Sequence, residues 1–157
     1  VDLNSSHNEH IVPQHSVPNE SLNFDNIVAS CDTNKQCGKA HGSKLLPLTP
    51  LMFDCENELR FNMSGTVKGL SERAKEMISV LNLGDTRQNN KKLVQTRQQL
   101  VSALIYKQNL DPFCIYLEDP ELLNLIIQEL QNPNNGYLEP FAPVLVNVLR
   151  DLRSTLF

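Results

Sequence analysis

The sequence predicts an all-α fold, a small helical bundle behind a disordered N-terminal leader. Three observations carry this reading. Apolar residues recur at spacings of three and four through most of the second half. Asp111-Pro112 and Asp119-Pro120 have the form of helix starts, because proline at the first helical position forfeits no hydrogen bond. The one β-like run, Phe113 to Leu117, has no second strand to pair with.

Residues 1–44 are rich in Asn, Ser, His and Pro, and their apolar residues come singly or in pairs, such as Ile27-Val28. Neither a helical nor a strand period runs through them, so the expected state is disorder. Residues 45–65 begin with Leu-Leu-Pro-Leu-Thr-Pro-Leu-Met-Phe, where two prolines forbid a regular helix. This segment reads as an extended strap docked on the domain, or else as a short linear motif that docks on a partner. Thr49-Pro50 within it is a candidate proline-directed phosphosite.

The interaction domain is expected over 66–157. A first helix is predicted over about 66–83, with Val67, Leu70, Ala74, Met77, Ile78 and Leu81 on one stripe and Gly84 as its C′ residue. A second is predicted over about 90–109, carrying Leu93, Val94, Leu100, Val101, Leu104 and Ile105. A third spans about 120–131, is apolar on most of its circumference, and should be central and buried. Asn134-Asn135-Gly136 marks a turn, and the fourth helix begins near Pro140.

Leu110-Asp111-Pro112-Phe113 and Leu138-Glu139-Pro140-Phe141 form a matched pair 28 residues apart, each followed four residues later by leucine. Their spacing resembles the HEAT- or armadillo-like architecture of paired helical hairpins, an alternative to a simple bundle. That architecture implies stacking on further repeats or a partner.

The chain has 157 residues and a formal net charge of −4, which argues against a strongly basic nucleic-acid binder. No apolar run approaches the about 18 residues that would span a membrane. The chain begins at Val1 and its last stripe reaches Phe157, so it reads as a fragment of a larger protein. Cys31, Cys37, Cys55 and Cys114 read as free thiols of an intracellular protein, although four cysteines would also permit two disulfides in a secreted one.

No catalytic constellation is visible. All four histidines lie in the leader, and Cys55 and Cys114 have no histidine or basic cluster near them in sequence. Cys31, Cys37 and His41 follow the spacing of three ligands of a CCCH zinc finger, but the fourth ligand is missing, so no metal and no cofactor is assigned. Arg87, Lys91, Lys92, Arg97 and Lys107 make the second helix basic, whereas 111–139 carries acids and no base. A nucleic-acid-binding helical domain is therefore the rival function.

The leading expectation is a non-enzymatic adaptor or scaffold domain that contacts another subunit, another copy, or the rest of its parent chain. The expected contact face is the fourth helix: Phe141, Val144, Leu145, Val148, Leu149, Leu152 and Leu156. Two earlier stripes cannot cover the apolar surface of helices three and four, and an uncovered patch seeks a partner.

Overall fold

A computed structural model describes residues 6–110 and 120–154. The fold is mixed α/β, with helix over 46% and strand over 13% of the described residues and two small antiparallel sheets, so the all-α expectation is overturned. The elements are β1 (Ser6–His10), β2 (Ile27–Cys31), α1 (Gly38–His41), β3 (Leu59–Phe61), β4 (Val67–Gly69), α2 (Glu72–Leu81), α3 (Lys91–Lys107), α4 (Pro120–Gln131) and α5 (Ala142–Ser154). Short 3-10 turns lie at Pro18–Glu20, Phe24–Asn26 and Glu56–Glu58. Two compact units form, one from Val1–Leu59 with Val67–Lys91 and one from Arg60–Thr66 with Lys92–Phe157.

The first unit contains the segment expected to be a disordered leader. β1 pairs antiparallel with β2 in the register His7 to Ser30 and Glu9 to Val28. The loop between them is tied by Asn26, whose side chain accepts from Val12 N–H and donates to the carbonyls of Val12 and Glu20. Polar side chains therefore do here what apolar burial does elsewhere, and hydrophobic periodicity is blind to them. Leu48, Val67, Ala74, Met77 and Ile78 supply the apolar interior.

The first helix is shorter than its periodicity implies. Val67 is buried, Lys68 exposed and Gly69 buried, the alternation of a strand, and the helix starts only after Ser71. The Ser71 hydroxyl caps it by accepting from Ala74 N–H. A three-residue strand is too short to outvote a helical stripe that happens to pass through Val67 and Leu70. At the other end Asn82 is the left-handed residue that closes α2, and Gly84, also at positive φ, lies two residues further on.

The second unit is helical. Val101 and Ile105 of α3, Leu123, Ile126, Ile127 and Leu130 of α4, and Leu145, Val146, Val148 and Leu149 of α5 form one core, joined by Leu110. α4 occupies the predicted span and its inner face is buried, although Leu122 and Leu125 on the other face are exposed. Asn134 and Tyr137 exchange backbone hydrogen bonds around Asn135 and Gly136, both with positive φ, which makes the predicted turn a tight hairpin. The Phe113–Leu117 run and, apart from Leu110, the first half of the 28-residue pair lie outside the described residues.

Candidate functional site

The expected contact face on α5 is largely interior. Leu145, Val148 and Leu149 are core residues, Val148 being 3% exposed. Leu152 packs against the same cluster, Phe141 and Val144 are half-buried, and Leu156 lies outside the described residues. Sequence reasoning counted too few neighbours for these helices. It omitted Phe61 and Met63, which also pack on this core. Phe61 is fixed there by its N–H, which donates to Asn147 Oδ1 at 2.9 Å.

The basic helix also changes meaning. Arg97 is 4% exposed, its guanidinium stands 5.0 Å from the Phe61 ring centroid, and one nitrogen reaches the Gly65 carbonyl at 3.5 Å. This is a buried cation–π contact, not part of a phosphate-binding edge. Arg87, Lys91, Lys92 and Lys107 remain exposed.

The strap, in contrast, presents apolar side chains. Leu48 is fully buried and Thr49 nearly so, and together they pin the segment. Thr49, the candidate phosphosite, is thus enclosed in this conformation. Beyond it the chain winds outward in successive turns, with Met52 N–H donating to the Thr49 carbonyl and Cys55 N–H to the Met52 carbonyl. Leu51 is 57% exposed and Phe53 97% exposed, with Leu45 and Met52 also on the surface. Asp54 and Glu56 follow directly and are exposed.

Glu58 anchors the far end of this segment. Its carboxylate receives the Arg73 guanidinium and the Ser71 hydroxyl. The Arg73 hydrogen bonds, and after them that of Ser71, hold its carboxyl below the usual range. Burial, assisted by Glu56 and Glu58, pushes the nearby Cys55 thiol up.

No family model matches the chain, and no curated protein matches it. His41 is 1% exposed, with Nδ1 2.9 Å from Glu9 Oε1 and Nε2 against the Lys44 carbonyl. His7 Nε2 lies 3.1 Å from Glu9 Oε2, so one carboxylate joins two imidazoles. A Cβ at position 38 would collide with this Glu9 carboxylate, which explains the glycine. The cluster braces β1 against α1, and both nitrogens of His41 are engaged in doing so. His41 thus faces Glu9 and Lys44 instead of completing a ligand set with Cys31 and Cys37, and among the described residues no group of three His, Cys, Asp or Glu is placed to hold a metal ion.

The second unit has an open cleft of about 580 Å³, where Leu104 of α3 and Leu125 of α4 meet Tyr137 of the hairpin turn. Its rim mixes Lys107 with Glu129 and Glu139. Among the described residues no helix is long and apolar enough to cross a membrane.

Proposed function

We propose that this chain is a non-enzymatic protein-interaction module, working inside the cell, that presents the Leu51–Met52–Phe53 segment to a protein partner. The observation that carries the reading is the exposure of Phe53 and Leu51 on a segment pinned by the buried Leu48. An aromatic side chain held almost wholly in water gains about 2 kcal/mol or more when a partner buries it. Anchoring by Leu48 limits the ordering cost that a free peptide would incur on binding. The acids Asp54 and Glu56 stand beside the apolar trio and fit a groove rimmed by Lys or Arg. The same acids oppose an anionic membrane surface, which is why a protein groove is the favoured acceptor.

The test uses the full chain as bait, identifies the captured protein, and measures binding again with that protein purified. Phe53→Asp should weaken binding by about a hundredfold, as expected for a central aromatic anchor. It should leave the melting temperature unchanged, because Phe53 supports nothing in the fold. Asp54→Lys with Glu56→Lys should slow association and flatten its salt dependence. Unchanged affinity in both variants rejects the reading. Binding to phosphatidylserine vesicles or to RNA with a steep salt slope, in the absence of a protein partner, rejects it in favour of a membrane or nucleic-acid function.

A further inference from the structure

Cys31 and Cys37, six residues apart in the sequence, come together in the first unit. Cys31 is the last residue of β2, held in register opposite Ser6. Cys37 immediately precedes α1, and its backbone is fixed on both sides. Its N–H donates to the Leu81 carbonyl at 3.0 Å, and its carbonyl accepts from His41 N–H at 2.8 Å. The loop between them is clamped as well: Asn82 donates to the Lys35 carbonyl and Asn90 to Gln36 Oε1, each at 2.8 Å. Gly38 N–H donates to the Ser30 hydroxyl at 2.9 Å, which sets Cys37 beside Cys31, and Gln36 Nε2 donates to Cys31 Sγ at 3.1 Å. Cys37 adopts φ 49° and ψ −126°, a conformation that L residues rarely hold. Neither cysteine is disulfide-bonded, and both are partly exposed.

The geometry points to a peroxide-reactive dithiol, in which Cys31 is the thiol that attacks peroxide and Cys37 the resolving one. The two differ in the manner such a pair requires. Burial pushes the Cys31 thiol up, but hydrogen bonds from Cys37, from Thr33 and from Gln36 outweigh it and hold it below the ordinary value. Burial, and then the adjacent Cys31 sulfur, push Cys37 up to about 12.

The chemistry balances with hydrogen peroxide as oxidant. The Cys31 thiolate attacks one peroxide oxygen, an S–O bond forms, the O–O bond breaks, and hydroxide leaves to take up the proton the thiol had released. Cys31 is oxidised by two electrons to the sulfenic acid and the peroxide is reduced to water. The negative charge that had opposed ionisation of Cys37 is then gone. Cys37 loses its proton and attacks the Cys31 sulfur. The S–S bond forms as the S–O bond breaks, and the hydroxyl departs with that proton as a second water. A small dithiol reverses the step by exchange.

The test treats the purified full chain with graded hydrogen peroxide, blocks remaining thiols with iodoacetamide, and maps peptides by mass spectrometry. The expected product is a Cys31–Cys37 disulfide, formed before any oxidation of Cys55 or Cys114 and reversed by dithiothreitol. In Cys37→Ser the reaction should stop at a sulfenic acid on Cys31, trapped by dimedone. Gln36→Leu, which removes a donor to Cys31, should slow oxidation by about threefold or more. Closing the small ring should raise the melting temperature by about 5 °C. Oxidation of Cys55 at the same peroxide dose, or pairing of Cys31 with any other cysteine, overturns the proposal. So does a Cys31–Cys37 bond already complete in thiol-blocked cell extracts and resistant to dithiothreitol, because that would be a permanent cross-link. The mapping on the unaltered chain decides the matter even if a variant fails to fold.

Discussion

Glu58 shows how one side chain can tie three parts of a unit. It ends a 3-10 turn, its carbonyl accepts from Leu70 N–H, and its carboxylate holds Ser71 and Arg73 at the start of α2. Its folded-state pKa is depressed, so its contribution to stability is complete above the ordinary glutamate value and fades as the pH falls through the folded value. Melting temperatures measured from pH 7 down to pH 3 should fall mainly below about pH 4, and Glu58→Gln should flatten that fall. At the same scale, Val148 is 3% exposed in a close-packed core. Val148→Asp therefore buries an unpaired charge and should unfold the second unit, at a cost above about 3 kcal/mol. Circular dichroism checks this. An unchanged melt would return Val148 to the surface, where the sequence alone had placed it. Ile126→Asp should act in the same way, since Ile126 also lies in the core.

Among the elements, the β1–β2 pair depends most on side-chain hydrogen bonds. Asn26 is 5% exposed and makes three hydrogen bonds across the loop that joins the strands. Asn26→Ala leaves the Val12 N–H and two carbonyls without that partner, and buried polar groups left unmade cost about 1–3 kcal/mol each. Hydrogen exchange should accelerate from Val12 through Ile27 while α4 and α5 are unaffected. α4 illustrates the opposite case. Leu123 is fully buried among apolar neighbours, so Leu123→Ala should cost about 2–5 kcal/mol through lost burial and the cavity left behind. Chemical denaturation gives the value.

For the molecule as a whole, residues 6–44 are part of the folded structure rather than a tether. Cys37, Lys35 and Gln36 bond to Leu81, Asn82 and Asn90. A chain truncated to 45–157 loses these partners at the C-terminal end of α2. Its melting temperature should fall by about 5 °C or more relative to the full chain. Equal melting temperatures would show that the first unit does not need its N-terminal sheet.

The sequence by itself determined the elements whose signals are local. α4 begins at Pro120 and ends at Gln131 because an N1 proline opens it and Asn132-Pro133 closes it. α3 and α5 follow from apolar spacing, and the Asn134–Tyr137 turn from Asn-Gly chemistry. The exposed Leu51–Phe53 segment was legible as an apolar run that proline keeps from being a helix. Only the tertiary structure decided which of those apolar residues are covered: Leu48 inward and Phe53 outward, Val148 inside and Leu125 outside. It alone brought Cys31 to Cys37, Arg97 to Phe61 and Glu9 to His41. The reason is physical. A helix cap or a turn is satisfied by atoms within about four residues, so its pattern is written locally. A strand of polar residues is stable only when distant partners meet its hydrogen bonds and charges, and no window of sequence contains both sides of that contact.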